Sequence, residues 1–156
     1  MKTEYTKLQK LLELVGLILI LLFIGFIAMS WGGLPDKIPG HYNAAGVVDR
    51  WGDKWEIIML PIITIILYAG LSVISLFPQL WNVPQTKKES NKYLVYSTVK
   101  TMLILMKVEL VANFFLINYF SVKGMNIPAL YTPVFLIVIF VSLIYYTWKS
   151  YRQAKM

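Results

Sequence analysis

Residues 11–29 read LLELVGLILILLFIGFIAM, an apolar run whose single charged residue is Glu13. A helix needs about 20 such residues to cross the hydrocarbon core of a bilayer. Three further stretches meet that requirement, at residues 57–77, 93–120 and 130–148. Because lipid offers no partner for backbone N–H and C=O groups, a crossing segment must satisfy its own as a helix. The sequence therefore predicts an all-α, polytopic membrane protein with four transmembrane helices.

The amino-acid composition supports this fold class. Of the 156 residues, 58% are hydrophobic and 15% are charged, against about 45–50% and about 25% in soluble domains. These proportions exclude a disordered tail, a soluble enzyme of ordinary composition and a secreted disulfide scaffold. Cysteine is absent, which excludes a thiolate metal site and a cysteine nucleophile. We expect a single membrane domain over residues 1–156, with the first span retained because it exceeds the roughly 7–15 residues of a signal-peptide core.

Lysine and arginine predict the orientation, because cytoplasmic loops carry an excess of them. Nine fall in the N-terminal arm, the second loop and the C-terminal tail: Lys2, Lys7, Lys10, Lys87, Lys88, Lys92, Lys149, Arg152 and Lys155. Four fall in the first and third loops: Lys37, Arg50, Lys54 and Lys123. We therefore expect both termini in the cytoplasm and the first loop outside. The net charge of +7 is explained by this bias, and nucleic acid is not an expected partner because the sequence shows no basic patch.

The first loop, residues 31–55, reads WGGLPDKIPGHYNAAGVVDRWGDKW. A loop of this length without a helix or strand pattern is usually functional or disordered. Disorder is disfavoured here, because the loop holds aromatic and aliphatic residues to bury and Pro-Asp, Pro-Gly and Gly turn signals. We expect an ordered extracellular loop that forms a compact cap on the outer ends of the helices.

Part of this loop resembles a known family. Residues 34–54, LPDKIPGHYNAAGVVDRWGDK, resemble the signature LPDxIPxHxNxxGxxDxWGxK of SdpI-type immunity proteins of bacteria, and the likeness extends over residues 10–78. The resemblance implies a domain of unassigned biochemical function in the bacterial plasma membrane. The best-known family members protect the producing cell from its own secreted peptide toxin and signal to a cytoplasmic repressor. It therefore implies a peptide toxin or a regulatory protein as partner, besides the lipid bilayer.

Six residues of the loop are candidates for binding such a ligand: Asp36, His41, Asn43, Asp49, Trp51 and Lys54. Carboxylates suit a cationic ligand, and aromatic rings offer apolar contact. Alternatively, His41, Asn43 and Asp49 only hold the loop backbone by hydrogen bonds, or His41 senses protons. His41 and Asp49 are weak candidates for a metal site, since no recognised ligand spacing is present. No cofactor is expected.

The third span holds polar residues inside the membrane, namely Lys107, Glu109 and Asn113. An ionised residue at the centre of a span costs about 2.5–3.5 kcal/mol, so an intramembrane ionisable residue indicates function by default. Glu109 and Asn113 are four residues apart and share a helix face, whereas Lys107 is expected to snorkel towards the cytoplasm. These residues either line a polar route or join helices, with Tyr68 or Thr64 as hydrogen-bond partners of Glu109.

The sequence thus favours a non-enzymatic membrane protein that binds or senses a peptide or an envelope-stress ligand at its outer loop. One alternative is a small transporter or channel-like module that uses the polar residues of the third span. Another is a metal-dependent membrane enzyme at the outer face, which is disfavoured because no catalytic motif is present. The sequence does not decide whether the protein forms a homo-oligomer, and it contains no GxxxG motif that would indicate helix dimerisation.

Overall fold

The computed structural model describes residues 4–86 and 88–156. Within those residues the chain forms four long helices and one β-hairpin: α1 Lys7–Ser30, β1 Lys37–Tyr42, β2 Val48–Asp53, α2 Met59–Leu76, α3 Glu89–Lys123 and α4 Tyr131–Lys155. Each of these four helices is long and apolar enough to cross a membrane. The prediction of an all-α, four-helix membrane protein is therefore confirmed. Lys2 and Lys87, which entered the orientation count, lie outside the described residues.

Most helices extend beyond the apolar runs that predicted them. α1 begins at Lys7 because Thr6 and Gln9 form a capping box, in which each side chain accepts the other residue's backbone N–H at 3.2 and 3.1 Å. α3 ends at Gly124, whose φ of 63° is left-handed and closes the helix. Hydropathy locates only the part of a helix that lies in lipid, so polar helix ends escape it.

α3 lies at the centre of the bundle and packs against α1, α2 and α4. A small aromatic core joins α1 to α3, where the Phe23 and Phe115 rings stack with centroids 5.2 Å apart. The outward faces of the other helices are apolar, with Leu21 on α1 69% exposed and Ile144 on α4 67% exposed. Such faces suit the hydrocarbon of a bilayer, which needs no hydrogen bonds from the protein.

The first loop is ordered, as predicted, but it contains an antiparallel hairpin that the sequence analysis did not predict. Lys37 at the start of β1 pairs with Asp53 at the end of β2, and the register is irregular around His41. Pro39 and Gly40 lie within β1. Neither residue type is typical of a strand, so the sequence lacks the alternation that would reveal one.

The hairpin is held against one end of the bundle, which we call the hairpin end. The Ser121 hydroxyl at the end of α3 donates to the Pro39 carbonyl at 2.9 Å. The backbone N–H of Ile127, in the loop between α3 and α4, donates to the Gly46 carbonyl at 2.8 Å. These bonds tie the hairpin to α3 and to the loop that follows it, so its position relative to the bundle is fixed.

Candidate functional site

A cavity of about 470 Å³ lies between the hairpin and the ends of the helices. That volume falls in the range of roughly 300–1,000 Å³ that is typical of ligand pockets. Its polar lining includes His41, Asn43, Arg50, Glu56, Asn118 and Ser121. Its apolar lining includes Leu60, Ile63, Ile117 and Ile127. The hairpin thus forms one wall, and α2, α3 and the loop before α4 form the others.

The hairpin brings together His41 and Asp49, which are eight residues apart in the sequence. His41 Nδ1 lies 2.6 Å from Asp49 Oδ1, and both side chains are exposed. Among the described residues no three His, Cys, Asp or Glu side chains are grouped so as to hold a metal ion. A catalytic zinc site uses three protein ligands, so this pair by itself falls one ligand short.

Asn43 lines the cavity, but its side-chain oxygen is used within the hairpin turn. Asn43 Oδ1 accepts the backbone N–H groups of Ala45 and Val47 at 2.9 and 3.1 Å. This is the turn-stabilising role that Asn side chains commonly have. The backbone-holding alternative therefore describes Asn43 well.

Four of the predicted ligand-binding residues are not part of the cavity lining, namely Asp36, Asp49, Trp51 and Lys54. The Asp36 carbonyl accepts the Lys54 N–H at 3.0 Å, so these two residues close the base of the hairpin. The Lys54 ammonium lies 5.5 Å from the centroid of the Trp31 ring. Trp51 is 55% exposed.

An ion pair that the sequence analysis missed borders the cavity. Arg50 Nη1 and Nη2 donate to the two Glu56 carboxylate oxygens at 3.0 and 2.7 Å, and Nη2 also donates to the Gly40 carbonyl at 2.9 Å. These hydrogen bonds raise the pKa of the Arg50 guanidinium above its ordinary value. In the sequence, Arg50 entered only the count of charges that sets the orientation. The available clue was Glu56, an acidic residue directly before the second span.

The helix α3 supplies buried polar groups that were also missed. Asn118 Nδ2 donates to the Ile57 carbonyl at 2.8 Å, and Asn118 is 1% exposed. The Tyr42 hydroxyl lies 3.3 Å from Ser121 Oγ, and burial raises the pKa of the Tyr42 phenol. In the sequence, Asn118 and Ser121 stand out only as polar residues near the end of an apolar span. Their role becomes visible through contacts with the hairpin and the turn before α2, which are far away in sequence.

The prediction that Lys107 snorkels towards the cytoplasm was wrong. Lys107 is fully buried, and its Nζ lies 2.7 and 2.8 Å from the two carboxylate oxygens of Glu13 on α1. Nζ also lies 2.9 Å from Ser72 Oγ on α2. The opposite charge of Glu13 satisfies the ammonium inside the bundle, so the ammonium does not need to reach water.

Glu109 and Asn113 share a face, as predicted, and that face is turned to α4. The Ser142 hydroxyl donates to Glu109 Oε2 at 3.2 Å, and the Tyr131 hydroxyl donates to Asn113 Oδ1 at 2.9 Å. Lys107 instead faces α1 and α2. The three intramembrane polar residues therefore do not line one common route.

The two side chains of α2 that were expected to bond Glu109 have other partners. The Tyr68 hydroxyl donates to Glu13 Oε2 at 2.8 Å, and the Thr64 hydroxyl donates to the Leu60 carbonyl one turn earlier at 2.7 Å. Sequence spacing fixes which residues share a face of one helix, but it does not fix which neighbouring helix that face meets.

Comparison with known proteins finds a family model that is similar to the segment around the hairpin. Residues 17–65 match the family model described as "Domain of unknown function (DUF1648)", a segment that covers most of α1, the hairpin and the start of α2. An uncharacterized protein of Archaeoglobus fulgidus is 28% identical, over 97% of this chain and 92% of that protein. No solved structure matches the chain. The chain is thus a multi-pass membrane protein that is similar, over residues 17–65, to a domain of unknown function.

Proposed function

We propose that this protein is a membrane receptor for an amphipathic peptide or an equivalent envelope ligand, which it binds in the cavity beneath the hairpin. The observation that carries the proposal is the cavity itself, with its volume of about 470 Å³ and its mixed lining. Clefts of that size with mostly apolar walls and a few convergent polar groups are the usual sites of ligand binding.

The distribution of polar and apolar groups supports an amphipathic ligand. The Arg50–Glu56 ion pair and the His41 ring, which is hydrogen-bonded to Asp49, lie on the hairpin side. Isoleucine and leucine side chains from α2 and α3 line the opposite side. A ligand with one apolar and one polar face can satisfy both sides at once, whereas a uniformly polar solute leaves the aliphatic wall without a partner.

The resemblance to SdpI-type proteins supports a peptide as the ligand. The residues that carry the resemblance, 34–54, form the hairpin wall of the cavity together with the turn into α2. If the orientation follows the lysine and arginine count, this wall faces the medium from which a secreted peptide arrives. Immunity or envelope sensing is the cellular role that follows from such binding.

A fluorescent label at the cavity tests binding directly. The chain has no cysteine, so a single introduced cysteine can carry a polarity-sensitive dye. Ala44→Cys places the dye at a residue that lines the cavity. Ala45→Cys is the control, because Ala45 is the next residue but is not part of the lining. Titration with a synthetic Lys/Leu amphipathic peptide should give a saturable change for the first label and little for the second. Equal responses at both positions, or no response at either, would contradict the proposal.

A cell assay separates binding from transport. Cells that produce the protein should tolerate more of an added peptide than cells without it, and His41→Ala should abolish that protection. Proteoliposomes should show no solute flux. Solute flux that falls in Glu109→Gln, without protection from the peptide, would favour the transporter or channel alternative and overturn the receptor.

A further inference from the structure

A second hollow, which we call the α1–α2 groove, lies on the surface of the bundle between those two helices. It exists because α1 and α2 each pack against α3 and touch each other little. Its volume is about 380 Å³, and all the residues that line it are apolar, among them Ile24 and Trp31 on one side and Ile62 and Ile65 on the other. None of the residues of this groove lines the cavity beneath the hairpin.

The groove runs along the helices towards the hairpin end. Ile24 and Ile65 form its deep end, and Trp31 and Ile58 form the end beside the hairpin. Residues 24–31 extend over about 10 Å at the helical rise, which fits within the roughly 15 Å of hydrocarbon in one leaflet. Ile24 and Ile65 are each 44% exposed, and both helices are long and apolar enough to cross a membrane. The groove is therefore open to lipid along its side, and an acyl chain matches its walls.

A lysine lies beside the hairpin end of the groove. The Lys54 ammonium is 5.5 Å from the centroid of the Trp31 ring, which lines the groove. The carboxylates near it in the hairpin do not pair with it, since Asp53 pairs with Lys37 at 2.6 Å and Asp36 meets Lys54 only through its backbone carbonyl. Within residues 4–86 and 88–156, Lys54 forms no ion pair. Its positive charge is available to an anion at this end of the groove.

We propose that the α1–α2 groove binds one acyl chain of an anionic phospholipid, whose head group meets Lys54. The groove alone gives no preference among lipids, because lipid tails are as apolar as its walls. Lys54 supplies the selection, since one basic residue favours an anionic lipid by about fivefold. A helix from a second copy of the chain would fill the groove but leave Lys54 without a counter-charge. The site is separate from the cavity, so it stands whether or not the cavity binds a peptide.

Photoreactive lipids test the site in phosphatidylcholine nanodiscs that contain the native chain. Phosphatidylglycerol and phosphatidylcholine with the same diazirine-bearing acyl chain are added in equal trace amounts to separate samples, and the labelled residues are mapped by mass spectrometry. Labelling of residues 24–31 and 58–65 should be about fivefold greater with phosphatidylglycerol. Equal labelling by the two lipids would overturn the proposal. Because the chain is unaltered, this comparison does not depend on a variant that folds.

Charge variants test the role of Lys54. Lys54→Gln should reduce groove labelling by phosphatidylglycerol to the level of phosphatidylcholine. Lys123→Gln is the matched control, because Lys123 lies at the same end of the bundle, 5.9 Å from the centroid of the Tyr119 ring, and neither of these two residues lines the groove. It should keep the preference of the parent. A preference that survives Lys54→Gln, or that is lost equally in Lys123→Gln, would contradict the assigned head-group contact.

Steric variants test whether the acyl chain lies in the groove. Ala28→Trp fills the groove from a lining residue and should reduce labelling by both lipids. Met29→Trp is the control, since Met29 is the next residue, is 88% exposed and is not part of the lining. Unchanged labelling in Ala28→Trp would place the chain elsewhere and refute the proposal. Absence of labelling by either lipid in the native chain would also refute it, and two copies per nanodisc would then assign the groove to a second copy.

Discussion

Gly46 is the residue at which the hairpin turn and its contact with the bundle meet. Its φ of 80° is left-handed, a conformation that costs an L-residue with a side chain roughly 1–2 kcal/mol. A Cβ at this position would also collide with the Ile127 carbonyl group. The Gly46 carbonyl meanwhile accepts the Ile127 N–H. Only glycine allows both the turn and this close approach.

Gly46→Ala should therefore lower the stability of the folded protein by more than the backbone cost alone. Gly124→Ala is the matched control, because Gly124 also has a left-handed φ, of 63°, but has open space where a Cβ would stand. We expect Gly124→Ala to cost about 1 kcal/mol and Gly46→Ala to cost clearly more. Thermal unfolding in detergent measures both, and equal losses would show that the contact with Ile127 does not matter.

Asn118 and Arg50 show what sequence reasoning leaves out at the scale of single residues. The loop motif indicates His41 and Asn43 as candidates, and both residues line the cavity. Asn118 was missed because it bonds a carbonyl 61 positions away, and Arg50 was missed because its bonds to Glu56 and Gly40 depend on the hairpin, which the sequence does not reveal. A motif indicates which segment of the chain has a function. The three-dimensional contacts of that segment decide which side chains form the site.

At the scale of elements, one polar cluster joins three helices within the membrane. Glu13 on α1 and Lys107 on α3 form its ion pair, and Tyr68 and Ser72 on α2 complete it. The Lys107 ammonium also lies 4.4 Å from the centroid of the Tyr68 ring. A charge in lipid is tolerated when it is paired and hydrogen-bonded. The cluster therefore fixes the rotation of these helices about their axes.

Removal of one partner should destabilise the bundle strongly. We expect Lys107→Met to cost up to about 3–5 kcal/mol, because it leaves the partly buried Glu13 without its counter-charge. The double variant Glu13→Gln/Lys107→Met should recover much of that loss. Unfolding in a detergent titration measures the cycle.

The exposed pair Lys92 and Glu89 supplies the control for this cycle. These side chains lie 3.4 Å apart near the start of α3. Exposed pairs contribute at most about 1 kcal/mol, so Lys92→Met should have little effect on unfolding. Strictly additive losses in the Glu13 and Lys107 cycle would contradict the account of the cluster.

The elements themselves were largely predictable, and their contacts were not. Four spans follow from length and hydropathy, because crossing lipid demands both. The common face of Glu109 and Asn113 follows from helical periodicity. The Glu13–Lys107 pair joins residues 94 positions apart. Two opposite charges isolated in apolar runs were the available clue, but hydropathy says nothing about which helix faces meet.

The whole molecule has two different ends. At the hairpin end, the Trp31 and Trp55 rings lie edge to face with centroids 4.6 Å apart. At the other end, Arg152 lies over the Trp148 ring, 4.7 Å from its centroid. Aromatic residues at both levels match the two interfaces of a bilayer. The cavity lies at the hairpin end, so its function depends on which side of the membrane that end faces.

Labelling of a single cysteine in intact cells tests the central claim, that the hairpin and its cavity face the exterior. Ala44→Cys should react with a membrane-impermeant maleimide before lysis. Met156→Cys, at the C-terminus, should react only after lysis. The reverse pattern, with Ala44→Cys protected until the cells are broken, would place the hairpin in the cytoplasm and contradict a receptor for external peptides.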